Sequence, residues 1–176
     1  HFPVAFMAAM LSSEIASTDD LVKYVSECRE MGIPVLPPDV NVSEWSFTVD
    51  GEAIRFGLGG VKGLGEAAAE AVLTARRRVG RFRSLAQLVA EVDPRAVNLK
   101  VLETLVKSGA CDAFGQHRAA LAAALERTVD WAQRRRRAEE AGQGSLFAAG
   151  SHEQTAPAID DAVTPWPEEN RLRAEK

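Results

Sequence analysis

Gly63-Leu64-Gly65 stands directly before a run of small and helix-favouring residues, Glu66-Ala67-Ala68-Ala69-Glu70-Ala71-Val72-Leu73. Two glycines let a backbone turn tightly and approach a partner with no Cβ in the way. The first amides of a helix have no acceptor within it and point outward. Together these features predict a seat for phosphate. Lys62 precedes the bend, and Arg76, Arg77, Arg78, Arg81 and Arg83 follow it, supplying cations of the type a polyanion would meet. The competing reading is purely structural, a glycine cap and turn between two helices.

The local pattern hydrophobe-x-Gly-hydrophobe-Gly-x-x-x-Ala, from Val61 to Ala69, is that of a helix-hairpin-helix, which grips nucleic-acid backbone without reading bases. Charge is distributed to match. The chain carries 21 basic and 25 acidic side chains, but unevenly. Residues 1–54 hold two basic and nine acidic groups, residues 55–137 sixteen and eight, and residues 138–176 three and eight. A basic middle between acidic flanks implies a local footprint for a polyanion rather than general stickiness. The alternative for residues 134–137, four consecutive arginines, is a solvated helix face.

Abundant alanine and few aromatics predict a mostly α fold with one small β-hairpin. Cys28 and Cys111 lack metal-type spacing and sit among apolar helical positions, which predicts buried free thiols in a reducing cytoplasm. His1, His117 and His152 are scattered and predict no metal site. No apolar run reaches membrane-spanning length, so no membrane partner is expected. The abrupt ends read as a piece of something longer.

The elements that must hold the bend follow from periodicity. A helix is predicted over residues 3–16, with Phe6, Met7, Met10 and Leu11 on its buried face. A second begins near Ser17-Thr18, buries Leu21, Tyr24, Val25 and Cys28, and ends at Gly32. Ile33 to Pro38 is extended, because its prolines exclude helix. Residues 46–49 and 53–56 alternate around Asp50-Gly51, predicting a hairpin with positive φ at both of those turn residues. Its expected role is to hold the glycine bend rigidly. Ser84 and Gln87 begin a further helix, Asp93-Pro94 interrupts, and Asn98 caps another that ends at Gly109. This pair reads either as a second, degenerate helix-hairpin-helix or as plain packing. A long helix is predicted from Gln116 to about Ala141, with Leu121, Leu125, Val129 and Trp131 inside and residues 134–137 outside. Residues 142–170, rich in Gly, Ala, Pro and acids, are expected to be a mobile linker. Within it, Gln143-Gly144-Ser145-Leu146-Phe147 joins a polar end to two apolar anchors. It reads equally as a peptide that docks a pocket or as two side chains folding back on the long helix.

Several stretches resemble the α subunit of bacterial DNA polymerase III, the replicative C-family polymerase. They include Phe2-Pro3-Val4-Ala5-Phe6-Met7-Ala8-Ala9-Met10-Leu11, Glu27-Cys28-Arg29-Glu30-Met31-Gly32, Val35-Leu36-Pro37-Pro38-Asp39-Val40-Asn41, the stretch from Arg55 through Gly65, and Leu102-Glu103-Thr104-Leu105-Val106-Lys107-Ser108-Gly109-Ala110-Cys111-Asp112. The resemblance implies that residues 1–50 end the fingers region and that 51–113 form the helix-hairpin-helix module holding duplex behind the active site. The long helix of 114–141 and the linker of 142–176 would follow. It implies that Gln143, Ser145, Leu146 and Phe147 belong to an internal sliding-clamp-binding peptide. Trp166-Pro167 and Glu175-Lys176 look like the lead into an OB domain.

Implied partners are primer-template duplex, the sliding clamp, and the rest of the polymerase chain and holoenzyme, in the cytoplasm. Polymerisation needs carboxylates gripping two Mg²⁺ ions, and the resemblance puts these in a palm upstream of His1. Asp19-Asp20 and Asp160-Asp161 are therefore read as non-catalytic, and this segment is expected to need no cofactor and to bind rather than catalyse. Lys62, Gly63, Leu64, Gly65, Arg76, Arg77, Arg78 and Arg81 are the expected DNA contacts. The alternatives are a free-standing helix-hairpin-helix accessory protein and a structural piece whose bend only turns the chain.

Overall fold

The computed structural model describes residues 2–141 and 155–168. Six α-helices and a three-stranded sheet surround two adjoining cores. The first core joins α1 (Phe2–Ser13) and α2 (Thr18–Glu30) to β1 (Val35–Leu36), β2 (Thr48–Asp50) and β3 (Ala53–Arg55). Met7, Leu11, Leu21, Cys28, Ile33, Phe47 and Ile54 fill it. The second and larger core lies among α3 (Glu66–Val79), α4 (Leu85–Glu91), α5 (Leu99–Lys107) and α6 (Arg118–Glu140). Phe56 packs against both cores, and its ring meets Phe47 edge-on at 4.6 Å between centroids.

Local signals set most of the element ends. Ser17 caps α2 by accepting from the Asp20 amide, Ser84 caps α4 through Gln87, and Asn98 caps α5 through Val101. Each occupies extended backbone with its side-chain oxygen aimed at an otherwise unpaired donor. His117 does the same for α6, its Nδ1 accepting from the Ala120 amide at 3.1 Å.

The sheet order is β1-β3-β2, with β1 parallel and β2 antiparallel to β3. The hairpin turn differs from the sequence reading by one residue. Asp50 pairs with Ala53, so the loop is Gly51-Glu52, and only Gly51 has positive φ, at 65°. That is the pattern of a type II′ loop with glycine first. Because β3 pairs on both sides and Ile54 lies in the first core, the sheet straddles residue 50.

Three other expectations are corrected. Phe6, expected in the core, is 54% exposed; α1 turns Met7, Ala8 and Leu11 inward, leaving Phe2 and Phe6 outside. Arg136, expected outside, lies half-buried and donates to the carbonyls of Val89, Ala90 and Val92. It satisfies carbonyls at the end of α4 that have no acceptor role within the helix. Residues 155–168, expected to be mobile, return to the domain. Ala156 and Ile159 pack on the larger core, and Pro165 and Trp166 line a cleft with Gln116 and His117 at the start of α6. Two apolar side chains spaced along a polar segment suffice to seat it. No helix among the described residues is long and apolar enough to cross a membrane.

Cys28 and Cys111 are free and buried, and burial pushes both thiols up from their ordinary value. Both stay protonated near neutrality, as expected of thiols that serve packing.

Candidate nucleic-acid interface

β3 feeds through Phe56 and a 3₁₀ turn, Leu58–Gly60, into the bend. Val61 and Leu64 are 7% and 5% exposed, so the bend is anchored by one apolar side chain on either side of Lys62-Gly63. The Leu64 amide donates back to the Val61 carbonyl at 3.0 Å, closing a tight turn. Gly63 takes φ +86°, a conformation that side-chain-bearing residues rarely adopt. Leu64, named as a DNA contact on sequence grounds, is thus a buried anchor whose backbone alone lies at the bend.

Gly65 is the N-cap of α3, with φ −74° and ψ 158°, and supplies no side-chain cap. The Ala68 and Ala69 amides both donate to its carbonyl. Among the described residues, the amides of Gly65, Glu66 and Ala67 meet no acceptor. Lys62, Gly63, Gly65, Glu66 and Ala67 are all exposed. The bend therefore presents unpaired N–H groups and one ammonium to solvent, at the positive end of a helix of 14 residues. Glu66 shares that turn, and its carboxylate opposes an anion there.

The arginines lie elsewhere. Ten residues along α3, at 1.5 Å per residue, carry Arg76 about 15 Å from the bend, so the cluster near in sequence is not near in space. Arg76 is engaged inside the protein: its guanidinium donates to the Val40 and Ser43 carbonyls at 3.3 and 2.7 Å and pairs with Glu44. Arg77 pairs with Glu70 at 2.9 Å, which holds that carboxyl below the usual range. Both partners are more than half exposed, so the pair is weak. Arg78 donates to the backbone and carboxylate of Glu91, both at 2.7 Å. Arg81 is exposed and has no side-chain partner among the described residues. Gln143, Ser145, Leu146 and Phe147 lie outside the described residues.

Sequence reasoning missed the outer face of α5. A Cβ on Gly63 would sit 3.8 Å from Thr104 Oγ1, so this helix flanks the bend. Thr104 donates to the Lys100 carbonyl one turn earlier, and Lys100 is exposed. The i, i+4 spacing of Lys100 and Thr104 on the polar side of an amphipathic helix is a visible signal. What it faces is not visible, because it depends on how α5 packs. Among the described residues, no three His, Cys, Asp or Glu side chains gather as metal ligands. Asp20 accepts from the Ser17 hydroxyl and Asp160 from the Ala162 amide, so one member of each acidic pair is engaged locally.

Tight glycine bend, unpaired helix amides and packed helical hairpins define a helix-hairpin-helix protein. The helix-hairpin-helix motif family matches residues 32–121, and the chain belongs to it. The chain also aligns from end to end with one segment of DNA polymerase III subunit alpha. It is 46% identical over 176 residues to the subunit of Thermus aquaticus, 38% over 180 residues to that of Vibrio cholerae and 39% over 179 residues to that of Deinococcus radiodurans. All of this chain is covered in each case, but only 14%, 15% and 13% of those relatives.

Proposed function

We propose that this chain is the duplex-gripping segment of a replicative DNA polymerase, holding the phosphate backbone of primer-template without reading its sequence. The observation that carries the reading is the set of unpaired amides at Gly65, Glu66 and Ala67, exposed beside Lys62 on a glycine bend. The match to polymerase subunits also extends beyond residues 32–121 in both directions, which favours a polymerase segment over a free-standing accessory module. Lys62, Gly63 and Gly65 are the first phosphate contacts, Lys100 and Thr104 flank them, and Arg77, Arg78 and Arg81 serve a more distant part of the duplex. A salt series on the full-length polymerase tests this. The slope of log affinity against log salt should fall by about 1 on Lys62→Ala, since each neutralised phosphate contributes about 0.9. The loss should be equal for unrelated duplex sequences. A loss confined to one sequence would contradict a backbone grip.

The same reading includes a tether to the sliding clamp through Gln143, Ser145, Leu146 and Phe147. It is supported by the adjacent Leu-Phe pair in an otherwise polar, acidic stretch. Weak backbone contacts permit sliding, and a tethered ring raises the effective concentration of duplex. Replacing Leu146 and Phe147 by alanine should abolish clamp pull-down and leave duplex affinity intact. An unchanged pull-down removes the tether.

A further inference from the structure

Gly57, Gly59 and Gly60 surround Leu58 in the turn that leads into the bend. None of the three takes positive φ, so backbone conformation does not require glycine there. Close contact does. A Cβ on Gly57 would lie 2.5 Å from the Trp45 carbonyl oxygen, and one on Gly59 would lie 2.8 Å from the Trp45 indole. A Cβ on Gly60 would lie 2.8 Å from the Phe56 ring and 2.9 Å from the Phe47 ring. Packed carbon atoms keep about 3.5–4.0 Å apart, so a methyl at Gly59 or Gly60 must displace either the turn or the ring beneath it. Backbone bonds follow the same seam: the Leu58 and Gly59 amides donate to the Glu44 and Trp45 carbonyls at 2.8 and 2.9 Å. The turn therefore lies flat on residues 44–47. Glycines that would otherwise leave the chain loose are held at one distance by rigid rings.

The surface beneath the turn is itself fixed. Phe47 is buried in the first core, and its amide donates to Ser12 Oγ at 3.1 Å. Trp45, half-buried, packs on the larger core. The turn ends at Val61, whose amide donates to the Leu58 carbonyl at 3.1 Å, and Lys62 and Gly63 follow at once. Any shift of the turn is thus passed directly to the bend. A binding constellation must be held to about 0.5 Å, and a methyl at Gly59 needs a larger retreat than that from the indole.

We infer that Trp45 is a positioning residue for the phosphate grip: its indole, with the Phe47 and Phe56 rings, is the surface against which Gly57, Gly59 and Gly60 aim the bend. The inference rests on the duplex-grip reading above. Trp45 acts through the turn and not by touching DNA.

The test measures duplex affinity and its salt slope in full-length polymerase. Gly59→Ala should weaken binding about fivefold and lower the slope by about 1, because a bend pushed off the indole no longer brings Lys62 to its phosphate. Adding Lys62→Ala to Gly59→Ala should lower the slope no further. An unfolded fraction reduces the amplitude of binding and leaves the slope alone, so the slope separates misplacement from damage. Trp45→Leu introduces no clash and should also lower affinity and slope. Trp45→Leu combined with Gly59→Ala should bind more tightly than Gly59→Ala alone, since the methyl then enters space the indole has left. Parental affinity and slope in Trp45→Leu overturn the inference, whether or not Gly59→Ala folds. So does a combined variant no tighter than Gly59→Ala. Failure of the duplex-grip reading shows separately: Lys62→Ala alone would then keep the parental slope, whereas failure of this inference leaves the Lys62→Ala slope lowered and that of Trp45→Leu unchanged.

Discussion

Replacing Gly65 by serine should weaken duplex binding by roughly tenfold, about 1.4 kcal/mol, while making α3 slightly more stable. The two effects have opposite signs because Gly65 has no structural need to be glycine. Its φ of −74° and ψ of 158° suit any residue, and a Cβ there meets nothing within 4 Å. Serine is a better N-cap than glycine by a few tenths of a kcal/mol, and its hydroxyl would accept from the amides that now face solvent. Those are the amides assigned to phosphate, so the new cap competes with the ligand. Gly63 is the contrast. At φ +86° any substitution strains the turn by about 1–2 kcal/mol, so Gly63→Ala should lose both stability and duplex affinity. Fluorescence anisotropy with duplexes of unrelated sequence reads the affinity, and hydrogen exchange of α3 amides reads the stability. Full duplex affinity in Gly65→Ser, with α3 protected, would leave the bend as a turn and nothing more.

The division between what the sequence disclosed and what it concealed follows the range of the interactions. Ser17, Ser84 and Asn98 act on amides three residues away, so composition at each helix start located them. The bend itself was equally legible, because a positive-φ glycine followed by a helix cap is a property of a few consecutive residues. Arg76 was not: its acceptors lie 33 and 36 residues away, and only tertiary packing brings them to it. Counting its charge with Arg77 and Arg78 treated three neighbours as one surface, whereas a helix turns successive side chains about 100° apart. Phe6 was misplaced for a related reason. A helix such as α1, apolar on most sides, gives no periodic contrast from which to choose the buried face. Ile159 and Trp166 were concealed by composition, since an acidic, Pro-containing stretch reads as linker even where isolated apolar side chains dock it.

Gly109→Ala should destabilise the joint between α5 and α6 by about 3 kcal/mol, more than a surface glycine substitution would. Part of the cost is backbone strain, because Gly109 has φ +87° and a side chain there costs about 1–2 kcal/mol. The rest comes from Arg118, whose guanidinium Nη2 lies 2.2 Å from the position the new Cβ would take. Arg118 is 8% exposed, donates to both oxygens of Asp112 at 2.9 and 2.8 Å, and donates to the Lys107 carbonyl at the end of α5 at 3.1 Å. A long side chain can swing away from an intruding methyl, but only by giving up these charge-assisted bonds, worth about 1.5–3 kcal/mol. Asp112 is 46% exposed at its side chain, so solvent screening places the loss near the lower end of that range. A double-mutant cycle separates the two parts. With Arg118 already replaced by methionine, Gly109→Ala should cost only the backbone share, leaving a coupling of about 1–2 kcal/mol between the two positions. Hydrogen-exchange protection of α5 and α6 in the full-length polymerase measures each corner of the cycle. Simple additivity would show that Arg118 yields to the methyl without loss, and that the bidentate pair with Asp112 does not hold this joint closed.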